Sequence, residues 1–355
     1  MDQAKCALQL FGNLLKTWSD IGDKNNMNNF WQSRRVLITG ANGFLAGWLT
    51  QDLIKQGANV YALIYQKNPF SIFETNQLDR FCNIIYSDIT SFNAVRKILE
   101  DHQISTVFHL GAQAICKTAL QSPANTLKSN IFGTINILEA IRQINPKIEI
   151  VIASSDKAYG THENLPYREH YPLHGEFPYE VSKSCADLVS QMYFNTYAIP
   201  VCIVRSGNLY GGGDAHFSRV FPNTIRRLYH NQNPIITKNT TRDYLYVEDA
   251  ALSYRLIAEN INNGLAGEAF NTGGENPVKT DHIINLISTA MNKYHIQPIF
   301  EDARHKEIPH QYLATDKIRK MVGWQPKVGL EEGVKKTVNW YLNFFQNNQE
   351  IAFYD

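Results

Sequence analysis

The stretch Val36-Leu37-Ile38-Thr39-Gly40-Ala41-Asn42-Gly43-Phe44-Leu45-Ala46 decides the fold. Its three leading apolar residues predict a buried strand, and Phe44 to Lys55, closed by Gly57, predicts the helix that follows. The spacing between them is GxxGxxA. Gly40 permits a tight turn, Gly43 lets the backbone approach a pyrophosphate, and the small Ala46 lets helix and strand pack closely. The helix N-terminus then offers amide donors and a partial positive charge to phosphate groups. A glycine-rich turn without a ligand is the plain alternative; a turn in register between strand and helix points to a dinucleotide.

Working outward, Asn59 to Ile64 predicts a second strand and completes a βαβ unit. Strands are expected at Ile84-Tyr86, Thr106-Leu110, Ile148-Ser154 and Val201-Arg205, with helices at Ser91-His102, Pro123-Arg142 and Glu180-Tyr197. Ser122-Pro123 predicts a helix start with Ser122 as N-cap. This alternation predicts an α/β fold, a Rossmann-type doubly wound parallel sheet covered on both faces. Beyond Gly211-Gly212-Gly213 it weakens, and Asp243 to Ile261 predicts a strand and helix that return to the large domain. The expected division is an N-terminal extension over 1–30, a dinucleotide-binding domain over 31–210 and 241–275, and a smaller discontinuous C-terminal substrate lobe over 211–240 and 276–355. Within the extension, Leu8, Phe11, Leu15 and Trp18 predict a short amphipathic helix over 4–18.

Composition narrows the partners. Lys+Arg 34 against Asp+Glu 33 gives a charge of +1, which provides no broad field for a nucleic-acid backbone or an anionic membrane. Any bound anion must be held locally. Five scattered cysteines without a CxxC pair point to reduced thiols and a cytoplasmic protein. His162, His170 and His174 have irregular spacing, and no metal site is expected. Ala7 to Leu15 is interrupted by Gln9, Gly12 and Asn13, so neither a membrane span nor a signal peptide is expected.

The second strand ends in Ile64-Tyr65-Gln66-Lys67, without the carboxylate that grips the adenosine ribose in NAD-binding versions of this fold. The choice between NAD and NADP therefore stays open, with Lys67 either a phosphate partner or a solvated lysine. Tyr179 and Lys183 stand four apart at the start of a predicted helix and project on one face. A phenol ionises near pH 10, and a nearby ammonium or an oxidised nicotinamide favours its phenolate. The strand from Ile148 runs into Ser154-Ser155-Asp156-Lys157 at the sheet edge where ligands of open α/β folds bind. The Asp-Lys pair is either a surface ion pair or a functional pair facing the cleft.

These segments, together with His109-Leu110-Gly111-Ala112-Gln113, Asn130 in NxxGTxNxLEA, Arg205 to Gly211 and Arg242 to Asp249, resemble the extended short-chain dehydrogenases that act on nucleotide sugars. The likeness runs in order from about Phe30 to Trp340. Phe30-Trp31, the Asp-Lys pair and Gly207-Asn208 leading to Gly211-Gly212-Gly213-Asp214 are most similar to CDP-glucose 4,6-dehydratases. Gly111 in place of alanine, Ala46-Gly47 in place of glycine and a small residue, and the long N-terminal extension depart from the pattern.

The resemblance implies a mechanism. Tyr179 removes the C4 hydroxyl proton while hydride passes to the cofactor, Ser155 positions that hydroxyl, and Lys183 holds the ribose and favours the phenolate. Asp156 protonates the departing C6 hydroxyl, Lys157 is the C5 base or its orienter, and hydride returns at C6. Gly40, Asn42, Gly43, Phe44, Leu45, Asp88, Ile89, Leu110 and Ala112 are expected at the cofactor, with Asp88 at the adenine. Gln113, Asn130, Asn208, Arg219, Arg242 and Arg304 are expected at the nucleotide-sugar diphosphate, where a guanidinium suits bidentate phosphate binding. A homodimer formed through the helices at Pro123-Arg142 and Glu180-Tyr197 is implied as well. A 4-epimerase and a non-catalytic dinucleotide sensor are the alternatives.

Overall fold

The computed structural model describes residues 29–237, 240–301 and 308–348; the expected helix over 4–18 and Arg304 lie outside them. Seven parallel strands form the main sheet: β1 (Arg35–Thr39), β2 (Asn59–Ile64), β3 (Asn83–Tyr86), β4 (Thr106–His109), β5 (Glu149–Ala153), β6 (Val201–Ser206) and β7 (Ala269–Thr272). Their spatial order is β7-β6-β5-β4-β1-β2-β3. The chain winds outward from β1 in both directions, so a crevice opens at the carboxyl ends of β1 and β4, where such sheets bind ligands.

Strand periodicity divides the core. Val36 and Ile38 enter one apolar layer and Leu37 the opposite one, as alternation across a pleated strand requires. The first layer lies under α1 (Phe44–Lys55) and a helix at Val247–Asn260; the second lies under α2 (Phe92–Asp101), α3 (Gly133–Ile144) and α4 (Pro178–Tyr197). Gly57 ends α1 with φ +85° and donates its N–H to the Ile54 carbonyl, a stop that suits glycine. Trp31 is fully buried, and its Nε1 donates to Glu259 Oε1 at 2.6 Å.

Two local expectations change. Pro123 opens its helix, but the Ser122 hydroxyl does not cap it. The preceding helix Cys116–Gln121 runs into Ser122, whose N–H bonds Thr118 O, and its hydroxyl accepts from Asn125 Nδ2 instead. The helix predicted to begin at Glu180 begins at Pro178, because Pro suits the first helical position and Glu180 Oε2 accepts the N–H groups of Glu176 and Phe177.

The segment at 244–261 forms a strand and helix, but the strand Tyr244–Tyr246 pairs with Asn208–Tyr210 outside the main sheet. The sheet position is taken by β7, which carries Asn271 and Thr272 buried and pairs with β6. A separate aromatic core gathers Tyr210, Phe221, Tyr244, Ile283, Val338 and Tyr341, joining residues from both sides of β7. A three-stranded patch sets Thr241–Arg242 between Val278–Lys279 and His310–Gln311.

Candidate active site

At the glycine turn two backbones meet. Gly40 has φ +66°, and a Cβ there would stand 2.8 Å from the Gly111 Cα. A Cβ on Gly111 would lie 3.0 Å from Thr39 Oγ1, so the glycine at this unusual position leaves room for the threonine hydroxyl. Asn42 Nδ2 donates to the Gln66 carbonyl at 2.5 Å and ties the turn to the end of β2. No side chain caps α1 and no acidic residue occupies its first turn, which leaves the leading amides at Phe44 and Leu45 facing the crevice edge as an anion cradle. Asp88 Oδ1 accepts the Thr90 N–H, and the Ile89 carbonyl accepts from Asn136 Nδ2. Tyr65, Gln66 and Lys67 are exposed. Leu110 and Ala112 flank Gly111 beyond β4 and are half-buried.

Beneath this turn His109 is fully ordered by its neighbours. Thr134 Oγ1 donates to the Asn130 carbonyl at 2.7 Å, so it accepts from His109 Nε2 at 3.2 Å. Nδ1 is then the acceptor for the Thr39 hydroxyl at 2.9 Å, while Thr39 Oγ1 accepts the Gly111 N–H. Burial, with the Lys183 charge adding to it, pushes the ring down to about 3.

The residues expected to be catalytic follow β5. Ser155 Oγ donates to Asp156 Oδ1 at 3.1 Å and accepts the Lys157 N–H at 3.2 Å. Asp156 is 2% exposed, so the pair with Lys157, at 3.8 Å, is no surface ion pair. Asp156 Oδ2 is buried without a hydrogen-bond partner. Tyr179 lies in the first turn of α4 and faces Ser155 outside full hydrogen-bonding geometry. Burial drives its phenol well above the usual range; Cys116 and Asp156 push the same way, while Arg219 and Ser155 oppose. Lys183, one turn on, donates to the Ala153 carbonyl at 2.7 Å, and burial lowers its ammonium to about 8. Phenol, hydroxyl and carboxylate thus converge at the carboxyl end of β5. Such a row can take a proton from a hydroxyl and deliver another to a leaving oxygen.

The expected substrate residues are placed differently from one another. Asn130 sits in a π turn (Lys128–Phe132), and its amide is engaged on both sides: Oδ1 by the Gln113 N–H, Nδ2 by the Gln113 carbonyl and Ser182 Oγ. Gln113 folds its side chain onto Ile115. Asn208 Nδ2 is buried without a partner. Arg219 Nη1 donates to Asp214 Oδ2 at 3.1 Å and its charge faces Tyr179. Arg242 is buried and donates to the carbonyls of Thr241 and Pro309.

Several contributors carry no motif. Gln311 Oε1 accepts from Lys157 Nζ at 3.1 Å. Arg205 grips Asp187 through two bonds of 2.8 and 2.9 Å and also donates to Tyr159 OH, while Ser154 Oγ donates to Asp187. That buried network anchors the ends of β5 and β6 behind the row expected to be catalytic. Its members lie far apart in sequence; Ser154 and Arg205 fall within segments singled out by sequence, while Asp187 and Tyr159 gave no signal.

Comparison with known proteins identifies the fold and the family. Residues 37–337 match GDP-mannose 4,6 dehydratase. A CDP-glucose 4,6-dehydratase of Salmonella typhimurium is 31% identical over 332 residues, covering 88% of this chain and 92% of its own. The crystal structure of a dTDP-glucose 4,6-dehydratase from Bacillus anthracis in complex with NAD superposes with a TM-score of 0.79 at 21% identity, over 90% of this chain and 98% of that one. A UDP-glucose 4-epimerase of Thermotoga maritima with UDP-glucose gives 0.80 at 25% identity, over 88% and 99%. Dehydratases and epimerases share the fold, and the matched segment runs from β1 to the helix Leu330–Asn347. On that extent of similarity, the chain belongs to the GDP-mannose 4,6 dehydratase family.

Proposed function

We propose that this protein is a nucleotide-sugar 4,6-dehydratase acting on CDP-glucose, with NAD as its cofactor. Asp156 carries the reading. It is a buried carboxylate with one oxygen bonded by Ser155 and the other without a partner, beside Tyr179. A 4-epimerase has no need of such an acid. The CDP-glucose 4,6-dehydratase relative supports the choice of sugar nucleotide.

The residues present fit a dinucleotide. Gly40 and Gly43 keep side chains out of the turn, the uncapped start of α1 offers amides to a diphosphate, and an NAD-bound relative has the same fold. Gly40, Asn42, Gly43, Phe44 and Leu45 would hold the diphosphate, Asp88 and Ile89 the adenine side, Leu110 and Ala112 the middle, and Lys183 the nicotinamide ribose. Bound NAD supplies the hydride acceptor at C4 and the donor at C6. Asn208, Arg219 and Arg242 would hold the sugar nucleotide.

In this reading Tyr179 takes the C4 hydroxyl proton while Ser155 orients that oxygen. Once C4 is a ketone, the C5 proton is acidic. Lys157 accepts it, the C5–H electrons form the C5=C6 bond, and the C6–O bond breaks as Asp156 donates a proton and water leaves. Lys157 then returns its proton to C5. Over the cycle Tyr179 gains one proton and Asp156 loses one, and Ser155 stands between them as the route that restores both.

We assign residues 31–210 and 241–275 to the cofactor-binding domain and 211–240 and 276–355 to the sugar-nucleotide lobe; at their boundary Tyr210 and Tyr244 pack into the lobe's aromatic core. Exposed Phe132, Leu188 and Met192 near the contact of α3 with α4 support a homodimer. Free thiols at Cys82, Cys185 and Cys202 support a cytoplasmic setting. No helix among the described residues is long and apolar enough to cross a membrane.

Incubation with NAD and a panel of CDP-, dTDP-, UDP- and GDP-sugars tests the assignment. CDP-glucose should lose one water and give a 4-keto product that absorbs in alkali. A stereoisomer of unchanged mass moves the assignment to 4-epimerase, and NAD binding with neither product indicates a dinucleotide sensor.

A further inference from the structure

We propose that Gln311 is a positioning residue for proton removal at C5, holding the Lys157 amine in place through its carboxamide oxygen. This rests on the dehydratase reading. Gln311 is 1% exposed, and its Oε1 accepts from Lys157 Nζ at 3.1 Å. Its Nε2 is buried with no hydrogen-bond partner. That amide nitrogen faces the Tyr167 hydroxyl at longer range, and the hydroxyl donates to the Gly160 carbonyl. The opposite orientation of the carboxamide would set an N–H donor against the Lys157 amine. The orientation is therefore chosen for Lys157, and the Nε2 donor is left unmatched as its consequence.

The backbone of Gln311 is fixed from the other side of the site. It pairs in register with Arg242, and its carbonyl accepts the Asp243 N–H at 3.1 Å. A strand that also borders the expected diphosphate arginine thus reaches the end of β5 and takes hold of the base. The charges around Lys157 are those of Asp156 at 3.8 Å and of Glu180 on α4. A carboxamide oxygen accepts from amine and ammonium alike, so the contact at Lys157 Nζ survives transfer of the C5 proton. Proton transfer is then balanced at Lys157: the C5–H bond breaks, an N–H bond forms, and the electron pair passes to C5=C6 as hydroxide leaves with the proton of Asp156.

The test compares wild type, Gln311→Glu and Gln311→Met with CDP-glucose, NAD and deuterium oxide. Three readouts are followed: reduced nicotinamide absorbance, deuterium incorporation at C5, and 4-keto product. Both variants should still oxidise C4 and accumulate reduced nicotinamide, with KM near that of wild type. C5 exchange and water loss should fall by ~10²-fold, the cost of a small misplacement at a reacting group. Unchanged C5 exchange in both variants overturns the proposal. So does a loss of C4 oxidation in step with C5 exchange, which marks a structural role. A wild-type enzyme that inverts C4 without losing water overturns the dehydratase reading itself and takes this role with it.

Discussion

The Arg219 guanidinium faces the Tyr179 phenol and pulls its proton affinity down against burial. This sets a pH signature. Removing the charge lets the phenol rise further, so the phenolate forms only at higher pH. Arg219→Met should move the acid limb of kcat/KM to higher pH by roughly one unit, and Arg219→Lys should keep it within a few tenths. Both limbs are read from a pH series of initial rates.

Asp156→Asn separates oxidation from elimination. The amide cannot donate the carboxylic proton to the C6 oxygen, while Tyr179 and Lys183 are untouched. Water loss should fall by ~10²–10⁴-fold with reduced nicotinamide still formed from substrate. Equal loss of both signals would count against an acid at this position.

Gly40→Ala tests the glycine turn. The new Cβ meets the Gly111 Cα at 2.8 Å in a backbone of φ +66°, so something must shift. Stability should drop by about 1–3 kcal/mol and NAD affinity should weaken. Thermal melting and NAD titration measure the two effects separately.

Asp243 makes stability depend on pH. Burial pushes its carboxyl up to about 7, opposed by the Gly274 and Leu313 amides, with Gly274 N–H bonding Oδ1 at 2.7 Å. Between about pH 4 and 7 the folded protein keeps this proton and the unfolded chain releases it, so unfolding free energy falls as pH rises across that window. The contribution is at most about 4 kcal/mol, from three units at 1.36 kcal/mol each. Asp243→Asn, which keeps an oxygen for Gly274, should flatten the difference in urea unfolding between those pH values.

Leu188→Glu places a charge on the exposed apolar face of α4. If two chains meet there, sedimentation velocity should show a monomer while the wild type sediments as a dimer. A wild-type monomer removes the homodimer assignment.

The main sheet was legible in the sequence because its central strands are short apolar runs buried on both faces, while the edge strand β3, largely exposed, was still marked by Ile84-Ile85-Tyr86. Val201–Ser206 is buried at every position. β7 was not, since Ala269-Phe270-Asn271-Thr272 has two polar residues whose burial depends on partners elsewhere, among them Tyr159 OH, which donates to Asn271 Oδ1 at 2.7 Å. The grouping of Ser155, Asp156 and Tyr179 was legible because these residues sit within a few positions of one strand end and one helix start. Gln311 was invisible for the opposite reason. It reaches Lys157 from a two-residue strand 154 positions away, and a lone glutamine carries no local pattern. The contact of Lys183 with the carbonyl at the end of β5, and the influence of the Arg219 charge on Tyr179, had no local sequence signal because each joins residues 30 or more positions apart.

The imidazole locked between two threonines has one more consequence. With its tautomer fixed by Thr39 and Thr134 and its ionisation pushed to about 3 by burial, His109 is neutral near pH 7 and works as an uncharged tie between the nucleotide turn and the π turn. Its neutral ring would react readily with imidazole-directed reagents if they could reach it, so burial alone shields it, and its modification should begin only where the chain unfolds.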